Sequence, residues 1–298
     1  MRWSEIVYTL AVDIGGTKIA AGVMNEEGVW ISEVKNSSNI ANANSMYDSV
    51  LVSMYEAIKK ADLLKEQIDY VGIAMPGHVN VETGLAIFQN NLPWVNFPAG
   101  EMFSKEFPSS KFSFEHDVVA AALGEWSVRD LSDELLVYIT ISTGISASII
   151  SEGKPIRGNG LAGEIGFFPV NDEKSLETYA SGSAMEKELI SESSGLTLER
   201  AFNRWQNGDK NMERFFNDRA HQLARSIVNI TALLDPHIIV LGGGVINNQG
   251  KFYELIKEHY QLLCKHPLQQ KWSDRIEKSI LTSESGLFGV AMKARDSK

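Results

Sequence analysis

Two stretches of the chain echo one another. Thr17–Met24 reads TKIAAGVM and Thr143–Ile150 reads TGISASII, 126 residues apart. Each follows an apolar run, TLAVDI in one case and LLVYITI in the other, and each leads to a polar turn that ends at Gly28 or Gly153. A period this long is wrong for a solenoid and right for a duplicated domain. Each copy should open as strand, Gly/Thr turn, strand, turn, strand. At 298 residues the chain is long enough for two such domains with sizeable cores. Its 44% hydrophobic and 22% charged content is that of an ordinary globular protein.

The first copy also carries the first chemical signal. Asp13 ends an apolar strand, Gly15 and Gly16 turn the chain, and Thr17 and Lys18 lead into the next strand. Paired glycines let a backbone approach a ligand and aim N–H groups at it, which suits phosphate oxygens. Asp13 can then hold a hydrated Mg²⁺ beside them. The same residues also read as a plain Gly-Gly hairpin with a solvated acid. Walker A and the GxGxxG dinucleotide fingerprint are both absent from this stretch.

Further along, residues 45–61 have helical spacing, and YVGIA (70–74) reads as a buried strand stopped by Met75-Pro76-Gly77. A short strand over 112–114 runs into Glu115-His116-Asp117, with a helix expected over 118–126. A glycine-rich loop (158–166) carries Glu164, and a mainly helical stretch follows from 176 to 234. A strand over 237–241 then meets Gly242-Gly243-Gly244, and a last helix over 287–295 is expected to dock back on the first domain. The division is therefore expected at 1–119 plus 286–298 against 120–285, with a hinge near residue 120. Three polar turns at strand ends line up: Asp13 to Lys18, Ser142-Thr143-Gly144, and Gly242 to Gly244. In two facing domains the first two can clasp a triphosphate, and the third leaves room for adenine. Phosphoryl transfer also needs a base for the acceptor hydroxyl. Asp117 is the best placed carboxylate for that role, although its local sequence alone favours a helix N-cap.

Composition narrows the class. A net charge of −10 opposes nucleic-acid binding. Cys264 is the only cysteine, which excludes a disulfide framework or a thiolate zinc cluster. The sequence shows no signal-peptide core and no apolar run of membrane-spanning length, so a cytoplasmic protein without a membrane role is expected.

Taken in order, these segments resemble the ROK family (repressors, open reading frames and kinases) of the hexokinase–actin superfamily. AVDIGGTKIAAGV resembles its first phosphate loop, GIAMPGHVN its G-x-x-x-P-G-x-V segment, and NNLPW its sugar loop. FEHDVVAAALGEW is similar to its E-N-D-x-N-A-A-x-x-G-E segment, and ITISTGISASII to its second phosphate loop. AGEIGFFPV is similar to the E-x-G-H region, LETYASGSA to L-E-x-x-x-S-G, and IIVLGGGVI to the adenosine loop.

The resemblance implies an α/β fold of two ribonuclease-H-like (actin/hexokinase-type) domains around a central cleft. It implies an ATP- and Mg²⁺-dependent kinase acting on the 6-hydroxyl of a hexose or derivative, with glucose, N-acetylmannosamine and a β-glucoside as candidates. Asp117 would be the catalytic base. Asn90, Glu164 and Glu177 would bind sugar hydroxyls, with Gly77, His78 and His116 beside them. Gly15, Gly16, Thr17, Lys18, Thr143 and Gly144 would contact phosphates, and Gly243 and Gly244 the nucleoside. A homodimer is implied as well.

Three departures stand out. His116 replaces the Asn of E-N-D, and the second phosphate loop has lost several glycines. Phe167 replaces the zinc-binding His, and the cysteine cluster is missing between Val170 and Leu176, so zinc is not expected. The alternative reading is a catalytically silent sugar sensor. Only Met1 to Tyr8 precede the first loop, which argues against a helix-turn-helix repressor.

Overall fold

The computed structural model describes residues 6–89, 91–192 and 195–296. Its elements, in chain order, begin with β1 (Thr9–Ile14), β2 (Lys18–Met24), β3 (Trp30–Ser37), α1 (Ala43–Lys60), β4 (Tyr70–Met75), β5 (His78–Asn80) and β6 (Leu85–Phe88). They continue with β7 (Val95–Phe97), α2 (Ala99–Glu106), β8 (Lys111–His116), α3 (Asp117–Val128), β9 (Leu135–Ile141), β10 (Ile145–Ser151) and β11 (Lys154–Pro155). Next come α4 (Leu176–Ala180), α5 (Gly182–Glu192), α6 (Leu198–Gln206), α7 (Lys210–Leu234), β12 (Ile238–Gly242) and α8 (Gly244–Asn248). The chain closes with α9 (Gly250–Leu263), β13 (Ile276–Lys278) and α10 (Ser285–Asp296). They form two compact units, Met1–Asp130 with Glu284–Lys298, and Leu131–Ser283. The expected boundary at 119/120 falls inside α3, which belongs whole to the first unit. Ala120 is a buried residue of that helix.

The first unit is built on a five-stranded sheet of order β3-β2-β1-β4-β8. β1, β2 and β3 pair antiparallel, and β1, β4 and β8 run parallel. Side chains alternate across a strand. Leu10, Val12 and Ile14 therefore enter one core cluster with Met46, Val50 and Met54 of α1. Ala11 belongs to a second cluster with Ala20, Ala74, Ala120 and, from α10, Leu287, Val290 and Ala291. The small residues of this second cluster allow close packing of α10. At Gly289 the approach is closest, since a Cβ there would lie 1.7 Å from Ala120 O. α1 starts where Asn42 Oδ1 accepts the Ser45 N–H at 2.9 Å, an ordinary side-chain cap. A small antiparallel sheet, β5-β6-β7, was not anticipated from sequence.

The second unit repeats the plan. Its sheet has the order β11-β10-β9-β12-β13, again three antiparallel strands followed by two parallel ones. β9 and β10 stand where β1 and β2 stand in the first unit, so the sequence echo is a structural one. The ribonuclease-H-like arrangement thus occurs twice. One core cluster joins these strands to α4 through α9, with Phe202, Phe216 and Phe252 at its centre. Cys264 is buried in it. Among the described residues no helix is long and apolar enough to cross a membrane.

Candidate functional site

In α/β sheets, ligands gather at the carboxyl ends of parallel strands. In the first unit those ends carry Asp13 on β1, the corner before Gly77 on β4, and His116-Asp117 on β8. Asp13 is partly buried. Its carboxyl is pushed up from the ordinary 3.8 to about 7, first by burial and then by the charge of Asp117, with Lys18 pulling the other way. A Cβ on Gly286 would lie 2.7 Å from Asp13 Oδ2, so the first turn of α10 stands against this carboxylate.

Asp117 is the first residue of α3, and its Oδ1 accepts the Val118 N–H at 2.7 Å. The N-cap position belongs to His116, whose side chain makes no cap bond. The N-cap reading of Asp117 is corrected accordingly. His116 Nε2 lies 3.4 Å from Asp117 Oδ1, and the Asp117 side chain is 36% exposed. The base candidate is therefore anchored on one side and open on the other.

The first turn is held from behind. Gly15 N–H donates to Lys18 O at 3.0 Å, and Ser38 N–H donates to Thr17 O at 3.1 Å. Ser38 Oγ donates to Gly15 O at 2.6 Å. Thr17 and Lys18 are exposed. A Cβ on Gly16 would lie 2.7 Å from Asn91 O, so the segment expected to hold sugar abuts the turn. Asn90 itself lies outside the described residues. Gly77 has φ +71°, and the exposed His78 opens β5 just after it.

In the second unit, Ser142 N–H donates to Gly144 O at 2.9 Å and Gly182 N–H to Ser142 O at 2.7 Å. Ser183 Oγ donates to Thr143 O at 2.5 Å. The turn is fastened to the start of α5 by these bonds. Glu177, on α4, uses Oε2 to accept the Ile145 N–H at 2.8 Å, which ties α4 to the same turn. Glu164 Oε1 accepts from Ser146 Oγ at 3.4 Å. Gly243 has φ +88°, and a Cβ there would lie 2.6 Å from Ile141 O. Only glycine fits such a position. Its neighbour Gly244 faces Ser142, so the second and third turns adjoin at the ends of β9 and β12.

Sequence reasoning did not find Ser38 or Ser183. Ser183 sits within the quoted LETYASGSA segment, where a hydroxyl one residue past Gly182 was the available signal. Ser38 had none. His221 and His259 pack edge to face at 5.3 Å, with His259 Nε2 bonded to Asn217 Oδ1 at 2.9 Å. Burial and His221 hold the His259 ring below its ordinary range. Among the described residues, no group of three or more His, Cys, Asp or Glu is placed to hold a metal ion.

Comparison with known proteins converges. An N-acetylmannosamine kinase of Vibrio cholerae is 32% identical over 266 residues, covering 84% of this chain and 88% of that protein. An N-acetyl-D-glucosamine kinase of Histophilus somni is 29% identical over 286 residues, covering 87% and 92%. The crystal structure of a ROK hexokinase from Thermus thermophilus aligns with a TM-score of 0.80 at 26% identity, covering 98% of this chain and 99% of that one. The ROK family's sequence profile matches residues 9–297, and the chain belongs to that family.

Proposed function

We propose that this protein is an ATP-dependent kinase that phosphorylates an N-acetylated hexosamine, or a related hexose, at its 6-hydroxyl. The observation that carries the reading is the pairing of Asp13 and Asp117, two acids at the ends of parallel strands, close enough that the charge of one raises the pKa of the other. The named relatives support an N-acetylated hexosamine, N-acetylmannosamine foremost, over glucose or a β-glucoside. Phe167 adds to this. It is 74% exposed, three residues from Glu164, and offers an apolar face where the family resemblance calls for His. A cytoplasmic location remains the expectation from the sequence composition, and a homodimer is what the resemblance implies.

On this reading Asp117 accepts the proton of the sugar hydroxyl as that oxygen bonds to the γ-phosphorus and the bond to the ADP oxygen breaks. Positioning and charge neutralisation supply most of the rate in such reactions. Glu164 and Glu177, with Asn90, Gly77, His78 and His116, hold and select the sugar, because an absent hydroxyl leaves its hydrogen-bonding partner unpaired. Backbone N–H groups of Gly16, Thr17 and Gly144, with Lys18 and the Thr143 hydroxyl, hold phosphate oxygens, while Gly15, whose N–H is bonded to Lys18 O, shapes the turn that brings them there. Gly243 and Gly244 give the nucleoside room against bare backbone. The donor set fits Mg²⁺ held through water by Asp13. That carboxylate's charge is under-compensated, and an ion that keeps most of its own water needs no cluster of protein ligands. When bound, Mg²⁺ supplies neutralisation of phosphate charge.

The test is a coupled assay of ADP release over N-acetylmannosamine, N-acetylglucosamine, glucose and a β-glucoside. An N-acetylated hexosamine should give the highest kcat/KM. Absence of turnover on all four, with sugar demonstrably bound, would overturn the kinase reading in favour of a sugar sensor.

A further inference from the structure

Glu115 and Lys293 lie outside the chemistry assigned above, yet they meet directly behind it. The Glu115 side chain is completely buried at the end of β8, and Lys293 on α10 reaches it with Nζ 2.9 Å from Oε2. The same ammonium donates to Phe114 O at 2.6 Å. The other carboxylate oxygen, Oε1, accepts the His116 N–H at 2.9 Å. One cation therefore grips two successive residues of β8, and the carboxylate it grips holds the backbone of the third. The fourth residue in this line is Asp117.

A buried ion pair is a poor device for stability, since well-packed apolar residues do as well or better. Holding a direction is a different matter. The turn from strand to helix is set at His116, with φ −67° and ψ 137°, and Glu115 Oε1 satisfies its N–H. α10 is itself fixed to α3 at other points. Gly289 packs on Ala120, and Ser285 Oγ donates to the buried Glu125 at 3.0 Å. Lys293 thus transmits the position of a firmly seated helix to the junction that aims Asp117.

We propose that Lys293, acting through Glu115, is a positioning residue for Asp117 in the phosphoryl-transfer step. The proposal rests on the reading of Asp117 as base. A reacting group displaced by about 1 Å can cost on the order of 10²-fold in rate without weakening substrate binding. The expected effect falls on kcat.

The experiment compares Lys293→Met, the double variant Glu115→Gln/Lys293→Met, and Asp117→Asn in the full-length protein, using the sugar turned over fastest in the four-sugar panel. Lys293→Met takes the ammonium away from a buried carboxylate and should lower Tm. The double variant removes both charges and should restore Tm. In both, kcat should fall roughly 10- to 100-fold, with KM for sugar and for ATP changed less than about threefold. If kcat returns together with Tm in the double variant, the pair is merely structural and the proposal fails. A normal kcat in Lys293→Met while Asp117→Asn is inactive overturns the positioning role alone. Near-native turnover in Asp117→Asn overturns the base assignment itself.

Discussion

At Asp117 one substitution tests both its role and its influence on Asp13. Asp117→Asn keeps the size of the side chain, and an amide oxygen can still accept the Val118 N–H. It cannot take a proton. General-base contributions run to about 10²–10⁴-fold, so turnover should fall at least about 100-fold while sugar affinity changes little. The same substitution removes a charge that raises the Asp13 pKa. Asp13 should then titrate below its present value of about 7, though not at 3.8, because burial is the larger cause. With a folded pKa above the unfolded one, stability is full below about pH 4 and is lost as pH rises towards 7. That loss should be smaller in Asp117→Asn. Carboxyl NMR and pH-dependent melts measure both effects, and an unshifted Asp13 would separate the two acids. Sequence made these residues visible because each sits at a strand end beside glycine or an apolar helix. Lys293 and Glu115 were invisible as a pair, since nothing local links positions so far apart in the chain.

Elements followed a similar rule. β1, β2, β4, α1 and α10 were legible because their apolar residues recur with the strand or helix period over enough residues. The sheet β5-β6-β7 was not. Its strands are three or four residues long, and its first turn depends on Asn80, whose Oδ1 accepts the Glu82 and Thr83 N–H groups. The two Gly/Thr turns also differ in length. Ile14 pairs with Ile19 across the first turn, but Ile141 pairs with Ile145 across the second, which is one residue shorter. In place of a cysteine cluster, residues 168–176 close as a short hairpin. Leu176 N–H donates to Phe168 O at 2.7 Å, and Asn171 Oδ1 caps the Lys174 N–H at 2.8 Å. α10 offers a prediction at this scale. A methyl at Gly289 has no room against Ala120 O, so Gly289→Ala should separate α10 from α3 and cost about 1–3 kcal/mol. Tm should drop by roughly 3–10 °C. Gly250, with nothing within 4 Å of its Cβ position, is the control, and Gly250→Ala should leave Tm unchanged or raise it. Equal melting of the two variants would show that the α10 contact yields without strain.

For the whole molecule, the question is what a metal ion does. A structural zinc site contributes folding energy directly, so chelators unfold proteins that depend on one. This chain has one cysteine, and it is buried. Phe167 stands exposed where the resemblance calls for a histidine ligand. Stability rests instead on two sheets, each with its own apolar core. Mg²⁺, by contrast, is expected only with ATP, through water on Asp13. The two roles predict different responses to the same treatment. Exhaustive dialysis against EDTA should move the Tm of the free protein by less than about 2 °C and yield no stoichiometric zinc by elemental analysis. Kinase activity should be abolished in EDTA and fully restored by Mg²⁺ alone. Joint addition of Mg²⁺ and a non-hydrolysable ATP analogue should raise Tm, as ligand binding to the folded state requires, whereas Mg²⁺ alone should not. Stoichiometric zinc whose removal lowers Tm, or activity that returns only with zinc, would place a metal in the fold and contradict this division of roles.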